Sequence, residues 1–140
     1  MTNDVMCGPA TPVLVLDDGE AANLDGLATS VAVFGRGRLA LHYATDLDDL
    51  RSMSDEIAAR RARAVVVVDA DHCPAPKALL ADAADLGFPL VVLSDGRDDA
   101  IHDHALSVGA TAYLLSALPA RELVARLEAI APTGSFDPSR

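Results

Sequence analysis

Five short runs of nearly unbroken apolar residues punctuate this chain: residues 13–18 (VLVLDD), 38–44 (RLALHYA), 64–70 (AVVVVDA), 88–95 (FPLVVLSD) and 111–117 (TAYLLSA). A run of this length without polar alternation predicts a strand buried on both faces. The intervening segments 20–34, 47–63, 76–86, 98–108 and 120–130 have helical composition. In the last of them Leu123, Val124, Leu127 and Ile130 recur at three- and four-residue spacings beside Arg121, Glu122, Arg126 and Glu128, which predicts an amphipathic surface helix. Pro119 suits its start, and Gly35, Gly37, Gly87 and Gly109 fall where helices should stop.

Strictly alternating strands and helices predict one parallel sheet, because each parallel crossover needs a connection of helical length and turns right-handed. The expected architecture is a doubly wound α/β/α domain spanning residues 12–131. Residues 1–11 and 132–140 are rich in Pro, Gly, Thr and Ser, lack a hydrophobic period and read as flexible tails.

Composition narrows the function. A 140-residue chain that is 51% apolar has material for one packed domain, and a formal net charge of −10 opposes direct binding to nucleic acid. The basic run Arg60, Arg61 and Arg63 reads as the end of a helix, where cations complement its dipole. Cys7 and Cys73 form neither a disulfide framework nor a metal-ligand spacing, which points to a reducing cytoplasm. The N-terminal segment lacks the basic and apolar regions of an export signal, and no apolar stretch has the roughly 20 residues a bilayer requires. The expectation is a cytoplasmic protein with no membrane contact.

In open parallel sheets the chemistry gathers at the carboxyl ends of the strands. Those ends carry Asp17 and Asp18, then Asp69 and Asp71, then Ser94 and Asp95, then Ser116. Carboxylates a few ångströms apart repel by on the order of 4 kcal/mol per pair at an effective dielectric near 20, so such a cluster calls for a cation. All-oxygen donors select a hard divalent ion such as magnesium or manganese. An aspartate beside that ion, with a hydroxyl across the pocket, has the parts of a phosphoryl acceptor. By contrast, Asp95, Asp98 and Asp99 read as capping or solvated charges. His42, His72, His102 and His104 read as surface residues, the last two being placed two apart rather than on one helical face. His72 and Cys73 lie in the loop beside Asp69.

The motifs VLVLDDGE, AVVVVDA, PLVVLSDG and GATAYLLSALPARELVARLEAI, in that order over residues 12–131, resemble the receiver domains of two-component response regulators. The resemblance implies a flavodoxin-like, five-stranded sheet of order 2-1-3-4-5 with five helices. It implies that Asp69 is the phosphoacceptor and that Asp17, Asp18, Asp69 and the backbone carbonyl of Asp71 hold Mg2+. Ser94 would turn toward the phosphoryl group and Tyr113 would be the aromatic residue coupled to it. The partners implied are a histidine kinase or phosphotransfer protein and a downstream protein target, with a homodimer through the fourth and fifth helices as a further option.

The sequence departs from the family where a Lys-Pro pair is expected after the fifth strand: Ser116 and Ala117 stand there. Cys73 replaces the usual proline in the loop after Asp69, and the spacing from Asp18 to Asp69 is longer than the family norm. Two functions follow, a phosphorylatable receiver or a pseudo-receiver that binds partners without phosphorylation. An enzyme is disfavoured. The loop DDGEAANLD is acidic where a flavin-phosphate loop is rich in Gly, Ser and Thr, and the first strand lacks the Asp pair, two residues apart, of a haloacid-type phosphatase.

Overall fold

The computed structural model describes residues 10–17, 24, 26–35, 37–71 and 75–130. Among the described residues five strands, β1 (Thr11–Leu16), β2 (Leu39–Ala44), β3 (Val65–Asp69), β4 (Leu90–Ser94) and β5 (Ala112–Leu115), alternate with five helices, α1 (Leu27–Phe34), α2 (Leu47–Ala59), α3 (Pro76–Ala84), α4 (Asp99–Ser107) and α5 (Ala120–Ile130). All strand pairs are parallel, in the order β2-β1-β3-β4-β5. The sheet order, the count of strands and helices and the layer architecture match the sequence expectation.

Alternation of side chains along each strand builds two cores from one sheet. Val13, Val15, Val65, Val67, Val91, Leu93 and Leu114 face α1 and α5, which contribute Leu27, Val31, Val124 and Leu127. Leu14, Val66, Val68, Leu90 and Val92 face the opposite layer, where Leu50, Leu80, Ala83, Ile101 and Ala105 of α2, α3 and α4 close over them. Every residue of β3 and β4 is buried, as central strands of a doubly wound sheet require.

Helix ends are set by local chemistry. Asp46 caps α2 by accepting from the Asp49 N–H at 2.8 Å while the Asp49 carboxylate accepts from the Thr45 N–H at 3.1 Å, a reciprocal cap. Asp98 caps α4 through the Ala100 N–H, the capping role expected of it. Gly87 and Gly109, with φ of 89° and 87°, take the left-handed turns that follow α3 and α4.

Several boundaries differ from the sequence expectation. Helix α1 begins at Leu27, directly after Gly26, whose φ of 80° does not propagate a right-handed helix; residues 20–23 and 25 of the expected helix lie outside the described residues. Helix α2 ends at Ala59, so Arg60 and Arg61 form the turn beyond it, with Arg61 itself at φ 54°. Thr11 pairs with Leu39 and so belongs to β1, not to the N-terminal tail. The tail residues 1–9 and 132–140, with Cys7, lie outside the described residues. Exposed contacts lock the edge of the fold: Arg38 bonds Glu128 at 2.8 Å, and the Arg121 guanidinium lies 5.7 Å from the centre of the Phe34 ring.

Candidate functional site at the carboxyl edge of the sheet

Parallel pairing aligns the strand ends, so residues far apart in sequence emerge along one edge. The last registered pair of β1 and β3 is Leu16 with Val68, which brings Asp17 and Asp69 out side by side. Asp17 is half-buried and its N–H donates to the Ala44 carbonyl at 2.9 Å, extending the β1–β2 ladder. Asp69 is buried, only 4% exposed, opposite Leu93 of β4. Ser94, fully buried, ends β4, and its carbonyl accepts from the Ser116 N–H at 2.8 Å, which carries the edge on to β5. Asp18, together with His72 and Cys73, lies outside the described residues.

A hydrogen-bonded chain links these groups. The Asp71 N–H donates to Asp69 Oδ1 at 2.8 Å, folding the post-β3 loop back over the buried carboxylate. Both oxygens of the Asp71 carboxylate then reach across to β4: Ser94 Oγ donates to Oδ1 at 2.7 Å and the Asp95 N–H donates to Oδ2 at 2.6 Å. Ser94 Oγ in turn accepts from the Gly96 N–H at 3.1 Å, and Asp95 Oδ1 from the Arg97 N–H at 2.9 Å. Asp95 thus closes a local turn with Arg97, while the cap of α4 is Asp98. The side chain of Asp71 has a role the sequence reading missed, since that reading assigned only its backbone carbonyl. The Asp-x-Asp spacing at 69 and 71 carries a signal for the first bond, an Asx-type turn, but nothing in it identifies the partner on β4.

Tyr113 is half-buried on β5, and the His102 ring meets it edge-on from α4. His104, two residues on, places Nε2 3.0 Å from the Lys77 carbonyl oxygen of α3. The two histidines thus act in helix contacts rather than as a metal pair. His42 is exposed on the edge strand β2.

The acidic donors at this edge are chemically suited to a hard divalent cation. Among the described residues, however, no group of three His, Cys, Asp or Glu side chains is arranged to hold a metal ion. The Asp71 carboxylate is committed to β4, and the fourth expected ligand, Asp18, is outside the described set. The described residues alone therefore do not make a metal site. Positive charge is sparse here: the sole lysine of the chain, Lys77, lies exposed on α3, and Arg97 in the loop after β4 pairs with Asp95 at 3.4 Å.

The fold that sets these residues along one edge is shared with solved structures. A response regulator from Thermotoga maritima superposes with a TM-score of 0.63 at 18% identity, over 88% of this chain and 98% of that one. The CheY-like response regulator receiver domain protein of Methanospirillum hungatei gives 0.65 at 15% identity, over 89% and 95%. The chain has the CheY-like receiver fold. A response regulator from Burkholderia pseudomallei, solved with a phosphorylated aspartic acid, a calcium ion and citrate, gives 0.61 at 22% identity over 88% of this chain and 69% of that one. No protein-family model and no curated sequence matches the chain. No helix among the described residues is long and apolar enough to cross a membrane.

Proposed function

We propose that this receiver-fold domain accepts a phosphoryl group on Asp69 in a two-component phosphorelay and signals through altered protein contacts. The observation that carries the reading is the placement of Asp69, buried at the carboxyl end of the central strand, with Asp17 beside it and the Ser94 hydroxyl at the end of the next strand. In the proposed reaction a carboxylate oxygen of Asp69 attacks phosphorus, the bond to the histidine nitrogen or small-donor leaving group breaks, and an acyl phosphate forms. Magnesium, held by Asp17, Asp18, Asp69 and the Asp71 carbonyl, would offset the negative charge gathered there. The donor would be a histidine kinase or phosphotransfer protein in the cytoplasm. The target would be a downstream protein or a second copy of the domain meeting the face of α4 and α5, with function expressed as a population shift between two states.

Ser116 favours a second reading. A lysine at that position would give the phosphoryl oxygens a charge-assisted bond of about 1.5–3 kcal/mol, where serine gives a neutral one near 1 kcal/mol. A pseudo-receiver that binds its partner without phosphorylation is consistent with that loss.

Intact-mass spectrometry after incubation with magnesium and acetyl phosphate or phosphoramidate separates the two. A single phosphoryl adduct that disappears in Asp69→Ala supports the receiver; no adduct under conditions that label a control receiver leaves the pseudo-receiver.

A further inference from the structure

The Ser94 hydroxyl has one proton to give, and in this structure it gives it to Asp71. The same carboxylate takes the Asp95 N–H with its other oxygen, so a single anion grips two consecutive residues at the end of β4. Both bonds are short, 2.7 and 2.6 Å, as expected where the acceptor is charged. The grip is anchored at its far end, because the Asp71 N–H is fixed on Asp69 Oδ1 at 2.8 Å. Asp69, Asp71 and Ser94 therefore form one continuous strut between the ends of β3 and β4, with Ser94 completely buried. The strut passes through the two donors at the start of the β4–α4 loop, and Gly96 and Arg97 are strung on it through the Ser94 hydroxyl and the Asp95 carboxylate.

We propose that the Asp71 carboxylate is a resident anion that latches the β4–α4 loop closed and competes with an oxyanion on Asp69 for the Ser94 hydroxyl and the Asp95 N–H. This rests on the reading of Asp69 as phosphoacceptor for its functional consequence, though not for its structural part. A phosphoryl oxygen that recruits Ser94 must first displace Asp71. The displaced carboxylate then loses two charge-assisted bonds beside a newly added negative charge, which disfavours the exchange. The loop is held in place before any modification, and the domain is correspondingly insensitive to phosphorylation until Asp71 is released. Loss of the expected lysine at Ser116 and gain of an anionic latch at Asp71 act in the same direction.

The test is amide hydrogen exchange followed by NMR in the wild type, Asp71→Ala and Asp71→Asn, with the Val66 and Val67 amides of β3 as the check on the fold. The Asp95 amide exchanges roughly tenfold or more faster in Asp71→Ala, the consequence of losing a bond to a charged acceptor. Asp71→Asn, nearly isosteric and able to accept through one oxygen only, falls between and keeps the test decisive should the alanine variant unfold. Unchanged Asp95 exchange in Asp71→Asn, or in a folded Asp71→Ala, overturns the latch. A second arm titrates beryllofluoride with magnesium: both variants bind it several-fold more tightly than the wild type, and equal or weaker binding overturns the competition. Failure of every variant to bind beryllofluoride counts against Asp69 as phosphoacceptor, while the exchange arm still decides the latch.

Discussion

The imidazole of His102 stands edge-on to the Tyr113 ring, centroids 4.8 Å apart and planes at 82°. This is the favoured geometry for two aromatic quadrupoles, and it ties the first half of α4 to the middle of β5. Because the His102 side chain is 46% exposed, the contact sits at the low end of the range for such pairs. A double-mutant cycle of His102→Ala and Tyr113→Leu, read by urea unfolding, gives a coupling of about 0.5 kcal/mol. Zero coupling would mean that Tyr113 is held by the core alone and that α4 does not steer it.

Gly96 follows the latched pair Ser94 and Asp95 with φ +82°, and a Cβ there would come within 2.8 Å of Leu115 Cδ2. Leu115 is exposed enough to move aside, so the steric part of a substitution is relieved cheaply, whereas the backbone part is not. Gly96→Ala is expected to cost about 1–2 kcal/mol in denaturant unfolding, and adding Leu115→Ala to recover only a minor share. Full recovery in the double variant would show that the clash, not the dihedral angle, decides.

The parts of the fold that the sequence made legible are those where one physical effect acts alone. Residues 65–68 are apolar because both faces of β3 are covered, and the unbroken run could be read as a central strand without knowledge of its neighbours. Asp98 was legible as a cap because capping is local. The start of α1 was not, since the segment has helical composition while the backbone angle of Gly26, a property of the folded turn, sets the start at Leu27. At the site, Asp17, Asp69 and Ser94 could be placed on one edge by counting strand ends. The Asp71–Ser94 bond could not, because its two partners are 23 residues apart and either side chain could equally have faced solvent.

Burial separates costly substitutions from neutral ones on the same layer. Leu127 of α5 is 1% exposed against the β1–β3–β4 face, whereas Val33 of α1 is 60% exposed. Leu127→Ala is expected to destabilise by about 2–4 kcal/mol, the loss of transfer energy plus a cavity, and Val33→Ala by less than about 0.5 kcal/mol. Equal effects in thermal or urea unfolding would contradict the packing of α5 on the sheet.

Tyr43 on β2 has a phenol whose pKa is raised above 10.0, first by partial burial and second by the negative charge of Asp17. A raised folded-state value means that the neutral phenol is favoured in the native state. The associated stability is intact below the ordinary tyrosine range and is lost as pH climbs through the folded-state value, so unfolding becomes easier only in strong alkali. In a Tyr113→Phe background, which leaves Tyr43 as the one tyrosine, the phenolate absorbance titrates above the free-tyrosine midpoint. Asp17→Asn shifts that midpoint downward without abolishing the elevation, because burial is the larger cause. An unchanged midpoint would place the Asp17 charge too far from Tyr43 to matter.

Ser116 occupies the turn after β5, anchored by its N–H on the Ser94 carbonyl at 2.8 Å, so a longer side chain at this position starts from the same edge as Asp69. Restoring a cation there by Ser116→Lys should favour the acyl phosphate twice over, through a direct charge-assisted bond and by reducing the local excess of carboxylates. On the reading of Asp69 as phosphoacceptor, the adduct seen by intact-mass spectrometry should form more completely and persist roughly tenfold longer in Ser116→Lys than in the wild type. Combining Ser116→Lys with Asp71→Asn should extend this further, since the added lysine supplies a donor and the removed carboxylate frees another. If Ser116→Lys forms no adduct while a control receiver does, the missing cation is not what restrains the site, and the phosphorylation-independent reading gains the stronger claim.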